Sequence, residues 1–224
     1  SAAMLARLAP IRNWIFDLDN TLYPASARLF DQIDRKMTAY IAERFGCDLI
    51  EARRIQKGYF HGHGTTLAGL MAEHEVDPHQ FLAFVHDIEM DVIEENLPLA
   101  AAIAKLPGRK IVFTNADSPY ADRVLDRLGL SASFEAVHDI HAMDLKPKPQ
   151  ESAYAGLCAA FGIDPRESLF VEDMARNLKP AKAIGMTTVW IDNGSEQAGD
   201  MDRGYIDFTT HDIRHWLEEI LEGQ

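Results

Sequence analysis

The alternation of short apolar segments with amphipathic stretches restricts this 224-residue chain more than any other feature. Between the apolar segments, side chains such as Val124, Leu125 and Leu128 recur at helical spacing before a glycine. Regular alternation of strand and helix predicts an α/β fold, a doubly wound parallel sheet with helices on both faces. The segments predicted as strands are residues 13–16, 110–114, 135–140, 168–171, 187–191 and 206–209.

Residues 24–100 interrupt this alternation. Apolar residues from Leu29 to Phe45 are spaced for a helix, and further helical stretches follow without a convincing strand. We therefore expect an all-helical cap domain, inserted between the first and second strands. Residues 1–23 and 101–224 are then expected to form the sheet domain.

The charge of the chain limits the partners it can bind. With 35 acidic and 22 basic residues, the formal net charge is -13, which disfavours nucleic-acid polymers and anionic membrane surfaces. No apolar run approaches the roughly 18 residues of a membrane span, and two cysteines do not make a disulfide framework. We expect a cytoplasmic enzyme, monomeric or homodimeric, that acts on a small molecule. An anionic substrate has to be held by local charge.

Two aspartates follow the first predicted strand. Asp17 and Asp19 are two residues apart, so in an extended segment their side chains point the same way. Taken alone, the pair favours a polar turn in which the carboxylates satisfy backbone groups.

Polar residues at other strand ends change that interpretation. Thr114 and Asn115 follow the second strand, and Glu172 and Asp173 follow the fourth, with Asn177 shortly after. The carboxyl ends of parallel strands meet at one edge of the sheet, where ligands bind. Several carboxylates near a basic Lys-Pro turn predict a site for Mg²⁺ and a phosphate group.

With these motifs in place, the sequence resembles the haloacid dehalogenase (HAD) superfamily of phosphohydrolases. The resemblance rests on four motifs in order: the DxDNT box at residues 17–21, Thr114-Asn115, the Lys-Pro turn at 146–149, and Glu172-Asp173. It implies a Rossmann-like core with a helical cap and Mg²⁺-dependent hydrolysis of a small-molecule phosphomonoester. Three segments further resemble the pyrimidine 5'-nucleotidase group, implying a pyrimidine nucleoside 5'-monophosphate as substrate: residues 17–24, 64–70 and 112–117.

The resemblance also implies roles for the acidic residues. Asp17 is expected to attack phosphorus and form an aspartyl-phosphate; a carboxylate is ionised at neutral pH and needs no base to activate it. Asp19 is expected to protonate the leaving oxygen and then deprotonate the attacking water. Asp17, the backbone carbonyl of Asp19, and Asp173 are the expected Mg²⁺ ligands, with Glu172 and Asn177 acting through water or as supports.

Substrate contacts are expected from the strand ends and from the cap. Thr114 and nearby backbone N–H groups are expected to hold the phosphoryl oxygens. Tyr23 and Tyr59 have aromatic faces that suit a nucleobase, although core packing or a hinge role is the favoured interpretation of each one individually. The expected substrate-binding residues are Leu18, Asn20, Thr21, Tyr23, Tyr59, Thr65, Thr66 and Asn115.

Two lysines in the Lys-Pro turn compete for the catalytic role. In the superfamily the lysine precedes a proline, and an aromatic residue stands six positions later. Lys148 meets that pattern with Tyr154, whereas Lys146 places Ser152 there. We therefore expect Lys148 in the site and Lys146 in solvent.

Other functions remain open. The same site could hydrolyse phosphoglycolate or a sugar phosphate, or pass the phosphoryl group to another acceptor as a phosphomutase does. A catalytically silent nucleotide-binding module is the non-enzymatic alternative. Dehalogenation is disfavoured, because it needs no metal and leaves Asp19 and the Glu172-Asp173 pair without a purpose.

Overall fold

The computed structural model describes residues 2–194 and 202–223. Its centre is a six-stranded parallel sheet in the order β3-β2-β1-β4-β5-β6. This confirms the predicted doubly wound α/β fold. The strands are β1 (Asn13–Phe16), β2 (Arg109–Phe113), β3 (Ala136–His138), β4 (Ser168–Glu172), β5 (Thr187–Ile191) and β6 (Phe208–Thr210).

Apolar side chains cover both faces of the sheet. In β1, Trp14 and Phe16 belong to one apolar cluster and Ile15 belongs to the other, and all four strand residues are buried. Successive side chains of a strand point to opposite faces, so a strand that is apolar throughout needs cover on both. This explains why short continuous apolar runs, rather than alternating ones, mark the strands of this chain.

Helices supply that cover. Helices α7 and α10 pack into the first cluster, and α8 and α9 pack into the second. The helices are α1 (Ala2–Leu8), α2 (Leu29–Phe45), α3 (Leu49–His63), α4 (Thr66–Glu73), α5 (Pro78–Val85), α6 (Leu97–Ala104), α7 (Ser118–Leu128), α8 (Glu151–Phe161), α9 (Leu178–Ala183) and α10 (Ile213–Glu222).

Two strands are shorter than predicted. Strand β3 ends at His138, and the side chain of the next residue, Asp139, accepts hydrogen bonds from the backbone N and Oγ of Ser118, 2.8 and 3.0 Å away. Strand β6 starts at Phe208 because the preceding residues form a turn, in which the N–H of Ile206 donates to the carbonyl of Arg203. In both cases polar contacts lie next to the strand end, and the apolar pattern of the sequence does not reveal them.

Between β1 and β2 the chain is helical. Helix α2 packs against α3 and α5, and α3 packs against α4. Asp48 and Thr65 cap α3 and α4 through their side-chain oxygens, which is why these helices begin where they do. Helix α6 packs against α10 of the sheet region. The domain division at residues 24 and 100 stays a prediction.

None of the helices that the structure describes is both long enough and apolar enough to cross a membrane.

His138, at the end of β3, is expected to make stability depend on pH. It lies between the rings of Phe113 and Phe161, and burial lowers the pKa of its imidazole. In the unfolded chain the imidazole takes up a proton near pH 6.5, whereas in the folded chain protonation requires a lower pH. The free energy of unfolding therefore decreases as the pH drops below about 6.5. We expect this residue to contribute at most about 1.4 kcal/mol per pH unit.

Urea unfolding of the wild type and of His138→Phe across mildly acidic pH measures that contribution. The phenylalanine keeps the apolar contacts and removes the titration, so its stability is expected to fall less steeply. All other residues are the same in both proteins, so the difference between the two slopes isolates the contribution of His138. Equal slopes would show that His138 does not carry the effect.

Candidate active site

The site lies where the strand order reverses. Strand β1 has β2 on one side and β4 on the other, and Phe16 pairs with Val112 and with Val171. Asp17, which follows Phe16, is therefore level with the ends of both neighbouring strands. Such a reversal opens a crevice at the carboxyl edge of a parallel sheet, the usual ligand position in these folds.

Both carboxylate oxygens of Asp17 have partners. Oδ1 accepts a hydrogen bond from Nζ of Lys148 at 3.0 Å, and Oδ2 accepts one from Oγ1 of Thr21 at 3.1 Å. The residue is 7% exposed. Burial acts to raise the pKa of Asp17, but the Lys148 charge and the hydrogen bonds of its neighbours hold that pKa below its ordinary value. Asp17 is thus an oriented, ionised carboxylate.

Lys148 is buried among acidic groups. Its residue surface is 1% exposed, and Nζ donates to Asp17, to Oε1 of Glu172 at 3.3 Å and to the carbonyl of Phe113 at 2.8 Å. Burial disfavours the charged ammonium, yet the charges of Asp17 and Glu172 outweigh it and raise the pKa of Lys148. The side chain of Asn115 holds the Lys148 backbone: its Oδ1 accepts from the Lys148 N–H at 2.9 Å, and its Nδ2 donates to the Lys148 carbonyl at 3.2 Å. Lys146 is exposed.

Three carboxylates form the acidic cluster of the site. One oxygen from each of Asp17, Glu172 and Asp173 lies within 4.8 Å of the other two. Burial, reinforced by the charge of Asp17, raises the pKa of Glu172 well above its ordinary value despite the opposing charge of Lys148. Loss of the Glu172 proton is therefore disfavoured beside the charge of Asp17, in spite of Lys148.

Asn177 contacts this cluster through Glu172. Its Nδ2 donates to Oε1 of Glu172 at 2.6 Å, while its Oδ1 is buried and has no hydrogen-bond partner in the described part of the chain. Crowded carboxylates beside an unsatisfied amide oxygen are a donor set that suits a hard cation. These residues fit Mg²⁺.

Asp19 has a different environment from Asp17. Its Oδ1 accepts hydrogen bonds from the hydroxyls of Tyr23 and Tyr120, at 2.8 and 2.6 Å. Burial, together with the charge of Asp17, raises the pKa of Asp19 to about 6, against the two hydrogen bonds that lower it. The two aspartates of one turn thus have pKa values shifted in opposite directions, the arrangement expected of a nucleophile and an acid–base group.

The remaining predicted residues at the strand ends follow β1 and β2 directly. Leu18 is fully buried, and Asn20 has a left-handed backbone (φ 58°) in the turn after β1, with its carbonyl accepting from Asn193. Thr114 is buried, and its Oγ1 accepts from the N–H of Ala116. These residues shape the turns around Asp17.

The predicted cap residues have contacts within the helical region. The hydroxyl of Tyr59 lies 2.9 Å from Nε2 of His74, and Thr65 accepts from the N–H of Ala68. Thr66 is buried at the start of α4. Their roles in substrate binding stay predictions.

Sequence reasoning missed Tyr120 and Arg176. Tyr120 lies in the first turn of α7, and its position on the apolar face of that helix predicts only a core residue. Arg176 follows β4 and donates to the carbonyls of Phe60 and Gly64, at 3.0 and 2.9 Å. A β-carbon on Gly64 would lie 3.3 Å from the carbonyl oxygen of Lys148, so the end of α3 lies directly against the Lys148 turn.

The fold and this crevice define an α/β protein with a buried cluster of acidic residues around a lysine. Residues 11–185 match the family model described as haloacid dehalogenase-like hydrolase. The chain belongs to that family, and the resemblance of its motifs is confirmed at this level. It is therefore a hydrolase by family.

Two curated relatives have related sequences. The Phosphate metabolism protein 8 of Saccharomyces cerevisiae is 24% identical over 190 residues, which cover 77% of this chain and 59% of the relative. The Enolase-phosphatase E1 of Shewanella frigidimarina is 28% identical over 127 residues, 55% of this chain and 51% of the relative. The chain thus spans between half and three fifths of the length of these relatives.

Solved structures share the fold. A HAD phosphatase from Thermococcus onnurineus has a TM-score of 0.62 at 19% identity, covering 96% of this chain and 99% of that one. An L-2-haloacid dehalogenase from Xanthobacter autotrophicus has a TM-score of 0.55 at 18% identity, with the same coverage. Because a phosphatase and a dehalogenase share one fold, the choice between their reactions depends on the residues of the site.

Proposed function

We propose that the chain is an Mg²⁺-dependent phosphomonoester hydrolase that works through an aspartyl-phosphate on Asp17. The observation that carries this proposal is the placement of a buried lysine amine 3.0 Å from Oδ1 of Asp17, with Asp19 two residues away. A phosphate monoester is an anion that an isolated carboxylate repels, and the Lys148 charge relieves that repulsion.

The proposed reaction has two steps. In the first, a carboxylate oxygen of Asp17 forms a bond to phosphorus while the bond to the leaving oxygen breaks, and Asp19 gives that oxygen a proton. In the second, water attacks the phosphorus of the aspartyl-phosphate and gives its proton to Asp19, and the bonding electrons return to Asp17. Thr21 donates a hydrogen bond to Oδ2 of Asp17, and this contact keeps the carboxylate from rotating between the steps.

The acidic cluster supports the proposal of a metal. Asp17, Glu172 and Asp173, with Asn177 beside them, are the residues that would hold Mg²⁺. When bound, the ion supplies positive charge that stabilises the charge on the transferring phosphoryl group. The raised pKa of Glu172 agrees with this, since it marks a place where a further positive charge is favourable.

The proposed substrate is a nucleoside 5'-monophosphate with a pyrimidine base. Support comes from the three segments that resemble the pyrimidine 5'-nucleotidase group, at residues 17–24, 64–70 and 112–117. The second of these begins at Gly64, where a β-carbon would lie 3.3 Å from the carbonyl oxygen of Lys148, so the segment borders the catalytic lysine proposed here. Phosphoglycolate and sugar phosphates are the alternatives for the same chemistry, and the phosphatase named among the relatives supports the reaction class.

Phosphate release with and without metal tests the proposal. We expect the chain to hydrolyse UMP and CMP faster than purine monophosphates, phosphoglycolate or sugar phosphates. Removing divalent ions with EDTA is expected to lower the rate by about 10³-fold, and added Mg²⁺ to restore it, because the acidic cluster otherwise repels the phosphate.

Each other outcome selects a different function. A preference for phosphoglycolate overturns the choice of substrate and leaves the mechanism intact. Transfer of the phosphoryl group to an acceptor other than labelled water indicates a phosphomutase. Halide release from a 2-haloacid, insensitive to EDTA, indicates a dehalogenase, and tight nucleotide binding without turnover indicates a silent binding module.

A further inference from the structure

We propose that Tyr23 and Tyr120 are positioning residues that make Oδ2 of Asp19, and not Oδ1, the atom that carries the transferred proton. The inference rests on the proposed function, because it assigns an atom within the acid–base role of Asp19. It concerns two tyrosine hydroxyls: Tyr23 lies in the segment 17–24, where its aromatic face was expected to contact substrate, and Tyr120 lies outside every motif.

Both hydroxyls donate to the same oxygen. Tyr23 lies 2.8 Å and Tyr120 2.6 Å from Oδ1 of Asp19. A carboxyl oxygen has two lone pairs, and two O–H donors occupy both of them. A proton on the Asp19 carboxyl therefore has to reside on Oδ2, and the plane of the carboxyl group is set by the two tyrosines.

The two tyrosines are suited to remain donors. Each is 1% exposed, so water has little access to compete for the two hydrogen bonds that their hydroxyls donate to Asp19. Tyr23 belongs to the turn after β1, whereas Tyr120 belongs to the first turn of α7, after β2. Asp19 is thus held from two separate elements of the sheet region.

Tyr120 is itself held in place by the segment that leads back from the helical region. The ring of His86 stacks on that of Tyr120, with centroids 4.2 Å apart and planes 12° apart. Nδ1 of His86 lies 3.3 Å from Oδ1 of Asp117. The backbone carbonyl of His86 accepts a hydrogen bond from the Arg123 guanidinium at 2.6 Å. These contacts fix the direction in which the Tyr120 hydroxyl points.

The assignment defines the path of one proton. In the first step, Oδ2 of Asp19 gives its proton to the leaving oxygen, which keeps the electron pair of the broken P–O bond. In the second step, Oδ2 takes a proton from the water that attacks phosphorus. Oδ1 keeps its two hydrogen bonds throughout, so the carboxyl group need not rotate between the steps.

Esters that differ in leaving group test this assignment, because kcat/KM reports the first step alone. An alkyl phosphate needs a proton on its leaving oxygen, whereas nitrophenyl phosphate releases a stable anion without one. In the double variant Tyr23→Phe/Tyr120→Phe we expect kcat/KM to fall by about 10-fold to 100-fold for the alkyl phosphate and to stay within about threefold for nitrophenyl phosphate. Each single variant is expected to show a smaller selective loss.

Tyr40→Phe serves as the matched control, because it removes a tyrosine hydroxyl from α2, in the helical region. It is expected to leave both kcat/KM values unchanged. Equal losses on the two esters, or no loss on either, in single variants that melt like the wild type would overturn the inference while the proposed function stands. A wild-type chain without Asp17-dependent phosphate release would instead overturn the proposed function, and the inference with it.

Discussion

Replacing Asp17 with asparagine is expected to lower the rate of phosphate release by about 10⁴-fold to 10⁶-fold. The amide nitrogen and oxygen of asparagine are poor nucleophiles at neutral pH, so no covalent intermediate forms. The fold is expected to survive, because Nζ of Lys148 keeps the Phe113 carbonyl and Glu172 as partners. Initial rates with Mg²⁺ present, together with circular dichroism and thermal melting, measure both effects.

A covalent readout strengthens this test. After brief incubation with a radiolabelled ester and acid quenching, the wild-type chain is expected to retain label and Asp17→Asn to retain none. Asp122→Asn, on the exposed face of α7, makes the same chemical change away from the site and is expected to behave as wild type. A wild-type rate for Asp17→Asn would contradict the assignment of the nucleophile.

The strand ends were predictable from the sequence for a physical reason. A strand buried on both faces is apolar at every position, so the first charged residue after it marks the edge of the sheet. Asp17 follows β1 and Glu172 is the last residue of β4, and the rule that ligands bind where strand order reverses brings them together without knowledge of the helices. The choice of Lys148 followed from its position six residues before Tyr154 in the sequence, the spacing that the superfamily pattern has.

Contacts between distant elements were not predictable. The hydrogen bond from Tyr120 to Asp19 joins residues 101 positions apart, and its geometry depends on the orientation in which α7 packs against the sheet. The helical spacing of Tyr120 predicts that its ring is buried, but it does not show whether the hydroxyl donates a hydrogen bond to a site residue. The aromatic face of Tyr59 suggested contact with a nucleobase; the structure places its hydroxyl 2.9 Å from Nε2 of His74, and the substrate-binding role stays a prediction.

Exchanging Lys148 for methionine is expected to slow phosphate release by about 10²-fold to 10³-fold. Methionine has a similar length and no charge, so the phosphate meets Asp17 and Glu172 without their buried counter-charge. Removing one partner of a buried ion pair also leaves the others uncompensated, and we expect a loss of about 3 to 5 kcal/mol in the free energy of unfolding. Enzyme assays and urea unfolding measure the two effects separately.

The pH dependence of that stability loss identifies its cause. Without the lysine charge the pKa values of Asp17 and Glu172 rise, so the folded variant holds protons that the unfolded chain releases as the pH increases. The loss is therefore expected to be larger above neutral pH than in mild acid. Lys146→Met, two residues away and exposed, is the control and should match the wild type in both measurements. If Lys146→Met abolished turnover and Lys148→Met did not, the catalytic lysine would be Lys146, and the buried ammonium would serve the fold alone.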